Sequence, residues 1–394
     1  MDRAVLSYRD VRFGCMNVVR YRYRLRPGAT AMAGLLAEWD RCRWVWNRAV
    51  ERLNETGEWV RDNTLTEWRG EHDWLREGSV VAQQQMLRNF RAKRAKRGGR
   101  RKFKSAKRSL PSLNYTKRGF ALKDGRLRLA GGLCIPVVWS RQLPGEPSSV
   151  RVYRDSIGHW YASFVVQRDA RALPACDQSI GIDWGVRAVA ITTDAEYDLP
   201  RPEHGRRAAK ELARRQRTMA RRKPPAGQRA SKGYLRAKRV AAKLCKKLAR
   251  QRQDTARKWA TKVVANHGVL AIEDFKPKFL AKSRMARKSA DGAIGTTIAT
   301  LIEYAQRAGR KVVLVSPAYT TMTCSGCGAR AKSHLLLSQR VFVCESCGAI
   351  RDRDRNAARV ILDRAGLNPA GVEAVRHSDL HQVRVLAEPG IPGL

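Results

Sequence analysis

Two C-x-x-C knuckles, Cys324-Ser-Gly-Cys327 and Cys344-Glu-Ser-Cys347, stand sixteen residues apart and restrict what this part of the 394-residue chain can fold into. Each knuckle can turn two thiolates towards one point, so the pair suits a single tetrahedral Zn2+ in a ribbon. Gly328 and Gly348 each follow a knuckle, where a tight turn needs a positive φ. Arg351-Asp-Arg-Asp-Arg-Asn-Ala-Ala358 comes directly after. The ribbon therefore fixes the chain just ahead of an acidic helix start that could hold a second kind of metal.

Charge narrows the partners. Lys and Arg total 79 against 35 Asp and Glu, a net charge of +44. Such an excess repels itself unless a polyanion neutralises it, which points to nucleic acid and to steeply salt-dependent binding. A basic membrane-surface protein is the competing class. No run of 18 apolar residues exists and the first ten residues hold no apolar signal core, so no membrane partner is expected. The other five cysteines (Cys15, Cys42, Cys134, Cys176 and Cys245) show no disulfide-like pattern, as expected of a DNA-associated protein in a reducing cytoplasm. No Ser-His-Asp set, Walker-type loop or histidine metal pattern is evident.

Hydrophobic residues make up 43% of the chain, enough for two or three folded domains. Residues 18–26 alternate, with Tyr21, Tyr23 and Leu25 on one face and Arg20, Arg22, Arg24 and Arg26 on the other, predicting a strand with a cationic outer surface. Helical patterns follow over about 30–53 and 80–95. Within 91–108, eleven of eighteen residues are Lys or Arg. Short strands return at 120–122, 127–129, 134–139, 149–153 and 160–166, so a small β-barrel interrupted by a helical lobe is expected. Beyond a linker at 168–178, strands are predicted around 180–191, 269–273 and 311–315, with a helix at 291–308. Between them, 206–266 reads as long basic helix broken at Pro224-Pro-Ala-Gly227. Residues 206–262 carry 22 basic side chains and two acids, Glu211 and Asp254. Trp259, Val263 and Val264 are expected in a core, and the basic face along RNA.

Three carboxylates stand out. Asp183 lies inside an apolar strand, where an unpaired charge is expensive. Glu273 ends Val269-Leu-Ala-Ile-Glu, at the mouth of a sheet. Asp354 opens the helix after the ribbon. Singly, a salt bridge accounts for Asp183 and helix capping for Asp354. Together, carboxylates about 4 Å apart repel by roughly 4 kcal/mol at an effective dielectric of 20, so a cluster stays ionised only around cations. Hard oxygen ligands suit Mg2+, or Mn2+ in its place, and two such ions would serve phosphodiester hydrolysis. Asp352 competes with Asp354 for the third position, while Asp274 should face away from Glu273.

Gly181-Ile-Asp-Trp-Gly, Ile272-Glu-Asp-Phe, the paired knuckles and Asp354-Arg-Asn-Ala-Ala together resemble the TnpB family, transposon-encoded RNA-guided DNA nucleases related to type V CRISPR effectors. Val315-Ser-Pro-Ala-Tyr, Gly99-Arg-Arg-Lys-Phe and Gly158-His-Trp-Tyr-Ala extend the resemblance over about residues 15–365. Thr321-Met322 departs from the Ser-Gln often found there. The resemblance implies a multidomain α+β chain. A wedge-like β-barrel (1–29 and 110–170) would carry a helical recognition lobe (30–109). An RNase H-like, RuvC-like α/β nuclease domain (179–319 and 350–366) would follow, with an inserted zinc ribbon (320–349) and a disordered tail (367–394). Asp183, Glu273 and Asp354 would be catalytic and bind two Mg2+ or Mn2+ ions, and Cys324, Cys327, Cys344 and Cys347 one structural Zn2+. Guide RNA and double-stranded target DNA are the implied partners of a Mg-dependent endodeoxyribonuclease.

Candidate nucleic-acid contacts are Gln84, Arg100, Arg101, Lys102, Lys104, Asn114 and Tyr115, with the run Gln83-Gln-Gln85 as a reader of base edges in a flanking motif. Two other readings stay open: a guide-dependent DNA-binding repressor that does not cut, and a zinc-ribbon RNA-binding protein with no DNA target.

Overall fold

The computed structural model describes residues 16–92, 101–106, 108–169, 172–333, 335–336, 338–366 and 383–385. The chain divides into two compact units, Met1–Asp169 and Ala170–Leu394.

In the first unit, β1 (Met16–Leu25) leads into a helical insertion of α1 (Ala29–Thr56), α2 (Asp62–Glu71), α3 (Asp73–Arg76) and α4 (Val80–Ala92). The strands resume as β2 (Ser112–Thr116), β3 (Phe120–Lys123), β4 (Arg126–Leu129), β5 (Leu133–Val138), β6 (Pro147–Arg154) and β7 (Trp160–Asp169). They form a seven-stranded sheet in the order β2-β6-β7-β1-β5-β4-β3, its edge strands β2 and β3 joined by one short 3-10 turn at Lys117–Gly119. That nearly closed sheet answers the expected barrel. Period-2 patterning sets its faces: Val19, Tyr23 and Leu25 are buried while Arg20, Arg22 and Arg24 are exposed. Tyr23 and Leu25 share one core with Leu35, Trp39 and Trp46 of α1 and with Met86, Leu87 and Phe90 of α4. Residues 1–15 and 93–100 lie outside the described residues, and with them Arg100.

The second unit builds a six-stranded sheet, order β10-β9-β8-β11-β12-β15. Its strands are β8 (Ser179–Trp184), β9 (Ala188–Thr192), β10 (Leu199–Pro200), β11 (Val269–Glu273), β12 (Lys311–Val315) and β15 (Val383–Val385). The first three form an antiparallel meander; β11 and β12 then add in parallel, which needs crossover connections. Strands buried on both faces read as continuous apolar runs, and β8 and β11 are such runs. The crossover from β10 to β11 holds α5 (His204–Arg207), α6 (Ala209–Arg221) and the 35-residue α7 (Lys232–Asn266), whose Ser231 side chain caps it by accepting from Tyr234 N. The expected break between the two basic helices is present. Trp259, Val263 and Val264 are buried against the sheet, as anticipated. α8 (Ala286–Gly292) and α9 (Ile294–Arg307) return the chain to β12.

After β12 come the two knuckles, the hairpin β13 (Val341–Val343) and β14 (Ile350–Asp352), and α10 (Arg353–Arg364). The ribbon's hairpin thus runs to the residue before α10, three beyond the expected boundary at 349. Apart from Val383–Val385, which pair antiparallel with β12, the tail read as disordered lies outside the described residues. Among the described residues no helix is long and apolar enough to cross a membrane.

Candidate active site and metal centre

Strand register brings two of the three acids together. β11 pairs in parallel with β8 up to Ile272 opposite Ile182, so the next residues, Glu273 and Asp183, end up side by side at the carboxyl ends of the central strands. Their side chains are 7% and 8% exposed, and a carboxyl hydrogen bond links them. The backbone N–H of Trp184 donates to both. Asp274 turns outward, forming an ion pair with Lys276 instead.

Helix α10 brings the third. Gly181, two residues before Asp183 and on the same face of β8, lets α10 approach as no other residue would: a β-carbon there would lie 2.1 Å from the Ala358 carbonyl oxygen and 2.9 Å from Leu362 Cβ. Asp354 lies one helical turn before Ala358. Its charge acts on Asp183, and Arg340 (Nη1, 3.3 Å) and Arg353 (Nε, 3.4 Å) flank it. Asp352 and Asp354 have different surroundings. Asp352 caps the helix, accepting from Arg355 N at 2.9 Å, whereas Asp354 pairs with the two arginines and acts on Asp183 through its charge. Arg355 anchors the same turn by a bidentate pair with Asp198 (3.2 and 2.8 Å) and a bond to the Thr192 carbonyl (2.7 Å).

The surroundings of the pair favour the protonated form. Burial, then the charges of Glu273 and Asp354, lift Asp183 well above the usual carboxylate range, although Arg353 opposes them. Burial also raises Glu273 to about 7. Burial and like charge act against ionising Asp183 and Glu273 together, and their oxygen donors are of the kind that suits hard divalent ions.

The four cysteines form a second, distinct centre. Their sulfurs lie within 4.8 Å of one another, with Cys324–Cys347 at 3.7 Å and Cys327–Cys344 at 3.5 Å. Ligands about 2.3 Å from a tetrahedral zinc stand about 3.8 Å apart, so the residues fit one Zn2+. Both knuckles fold alike: Cys324 N and Cys344 N bond to the carbonyls of Ala329 and Ala349, with Gly328 (φ 74°) and Gly348 (φ 70°) at the turn. Backbone N–H groups of Cys347 and Ser346 draw the Cys344 thiol down to about 7. Cys347, despite the N–H of Ala349, is pushed up to about 12 by the neighbouring sulfurs. Asn356 fastens the centre to α10: its amide donates to the Thr323 carbonyl (2.7 Å) and accepts from Ser325 N (3.0 Å). Arg351 and Arg364 reach Ser325 Oγ and the Ala318 carbonyl at 2.9 and 2.6 Å.

In the first unit the structure redistributes the candidates. Gln84 is exposed on α4, but Gln83 is buried, accepting from Arg69 (2.7 Å) and donating to the Leu75 carbonyl (2.9 Å). Lys102 is exposed. Arg101 instead lies over Phe90 and Trp59 (4.4 and 4.7 Å to the ring centres), and Lys104 over Trp46 (4.2 Å). Tyr115 is a core residue at 1% exposure, correcting its assignment to a nucleic-acid surface; strand alternation leaves Asn114 facing outward. Sequence reasoning missed Arg340, Asp198 and Gly181, which position the third acid.

Two family models match: one described as the Cas12f1-like TNB domain over residues 295–361, and one described as a probable transposase (OrfB_IS605) over 163–284. A candidate RNA-guided DNA endonuclease of Streptomyces pristinaespiralis is 31% identical over 371 residues, covering 88% of this chain and 89% of that protein. A candidate RNA-guided DNA endonuclease of Escherichia coli (strain K12), InsQ, is 29% identical over 382 residues, covering 87% and 91%. A solved Cas12f1–sgRNA–target DNA complex shares the fold, with a TM-score of 0.54, 12% identity and coverage of 90% of this chain and 99% of that one. A nearly full-length match at this identity, together with the two family models, is decisive: the chain belongs to the TnpB family of transposon-encoded RNA-guided DNA nucleases.

Proposed function

We propose that this chain cleaves double-stranded DNA chosen by a bound guide RNA, by divalent-metal-assisted hydrolysis at Asp183, Glu273 and Asp354. The observation that supports the reading is the side-by-side placement of Asp183 and Glu273 at the ends of two parallel strands, with the helix that carries Asp354 packed close against the first of them at Gly181. The topology of the second unit, a meander followed by two parallel strands, supports an RNase H-like, RuvC-like assignment.

The three acids would hold Mg2+ or Mn2+, which when bound supply charge neutralisation at the scissile phosphodiester and an acidified attacking water. The chain's own groups prepare the site. The Trp184 N–H orients Asp183 and Glu273, while Asp352 and Arg355 fix the first turn of α10. Arg340, with its side chain 39% exposed, can exchange Asp354 for an incoming phosphate. Burial keeps the ion-free pair protonated near neutrality, so loading the site displaces a proton. The net charge of +44 supports backbone gripping, with sequence delegated to base pairing and a short flanking motif read by the first unit.

The test is supercoiled plasmid carrying a match to the copurified guide, incubated with protein and Mg2+. Nicking or linearisation that is lost in Asp183→Ala supports cleavage. Guide-dependent binding without cutting would replace this reading with a repressor; copurified RNA that directs no DNA binding would replace it with an RNA-binding protein.

A further inference from the structure

The outward face of the first unit's sheet carries a ladder of side chains to which the cleavage reading assigns no role. Tyr153 of β6 is the direct cross-strand neighbour of Tyr161 of β7, and their rings stack at 5.6 Å between centres and 22° between planes. Guanidinium groups bound the stack: Arg22 lies 6.0 Å from the Tyr161 centre and Arg151 5.5 Å from that of Tyr153. Register builds three rows across β1, β7, β6 and β2, namely Arg24-Tyr161-Tyr153-Ser112, Arg22-Ser163-Arg151-Asn114 and Arg20-Val165-Ser149-Thr116. All four arginines in these rows are exposed, and no acid occupies any of the twelve positions. Helices α1 and α4 share their core with the opposite, inward face.

From this arrangement we infer that the Arg22-Tyr161-Tyr153-Arg151 ladder is a stacking platform for unpaired nucleotides of RNA. The inference rests on the proposed guide-RNA partnership and adds where, and in what form, part of that RNA is held. Bases stack on aromatic rings and on guanidinium planes with little regard to sequence. The four exposed arginines, in rows that hold no acidic residue, supply phosphate contacts. The occupant is RNA rather than single-stranded DNA because hydroxyl and amide groups (Ser112, Ser163 and Asn114) lie in the same rows as the rings and arginines, where a 2′-OH can bond to them. Ser112 Oγ already accepts from Arg151 Nε at 2.8 Å, which orients that guanidinium beside Tyr153.

Ultraviolet crosslinking of the full chain with its copurified RNA, followed by peptide mass spectrometry, tests this directly. Ribonucleotide adducts on peptides carrying Tyr153 or Tyr161 are expected; adducts confined to other peptides would overturn the inference while leaving guide-dependent cleavage intact. A chain that copurifies no RNA would instead count against the function proposed above. In that case RNA-stripped protein with a uridine decamer decides the platform, by the presence or absence of the same adducts. A deoxyuridine decamer that crosslinks there as well as RNA would refute the assignment to RNA. Tyr153→Leu/Tyr161→Leu should weaken decamer binding about tenfold with an unchanged salt slope, whereas Tyr153→Phe/Tyr161→Phe should not. Arg22→Gln should lower that slope by about 1. Leucine variants that bind like the parent would refute the platform.

Discussion

Substituting Glu273 with glutamine tests whether the acid cluster stores repulsion that only a cation relieves. Burial lifts Glu273 from 4.5 to about 7. That rise of about 2.5 pH units, at about 1.4 kcal/mol per unit, corresponds to about 3 kcal/mol of folding free energy. Its sign follows from counting protons. Between the ordinary carboxylate range and about pH 7 the folded chain keeps a proton that the unfolded chain has released, so stability falls as pH rises through that window. The deficit is complete above it and absent well below it. Glutamine has no charge to desolvate. In EDTA at pH 8, Glu273→Gln should therefore raise the Tm of the unit spanning Ala170–Leu394. For a unit of that size about 3 kcal/mol amounts to about 6–12 °C. The gain should vanish near pH 4. Added Mg2+ should stabilise the parent and not the variant, because only the parent offers a complete set of ligands. Scanning calorimetry from pH 4 to 8, with EDTA and with Mg2+, measures all of this. A variant no more stable than the parent in EDTA at pH 8, or a gain that does not grow with pH, would refute the reasoning.

Gly181→Ala forces a β-carbon to within 2.1 Å of the Ala358 carbonyl. It should cost about 1–3 kcal/mol in thermal unfolding and cut plasmid cleavage at least tenfold while copurified RNA is unchanged. Cys347→Ser removes one of four sulfur donors; bound zinc, read by atomic emission, should fall from about one per chain to near none, and cleavage with it. Arg340→Gln should change stability by less than about 1 kcal/mol, since the pair with Asp354 is part-exposed, yet tighten Mn2+ binding followed by electron paramagnetic resonance. Unaltered Mn2+ affinity would show that Arg340 does not compete with the ion.

What could be read from the sequence depended on the range of the interactions. The knuckles were legible because both ligand pairs are local, and β8, β11 and β12 because buried parallel strands are unbroken apolar runs. Helices α2 and α3 were not, being short and polar with few inward residues such as Leu65, Trp68 and Leu75. Arg101 and Lys104 read as phosphate contacts because a basic run does not reveal that Phe90 and Trp46 lie beneath it. Tyr115 was misjudged for want of the strand register that turns it inward. That Asp352 caps α10 and Asp354 does not was hidden too, since either acid suits a helix start.

The contact between Gly181 and the Ala358 carbonyl has an evolutionary consequence. Main chain meets main chain there, so the span separating the acids behaves as a mechanical stop rather than an adjustable gap. Gradual exchange of side chains elsewhere on α10 or β8 leaves that stop in place, whereas any larger residue at 181 breaks it outright. Drift in activity among relatives of this chain should therefore arise from how substrate is delivered, and seldom from how closely α10 approaches β8.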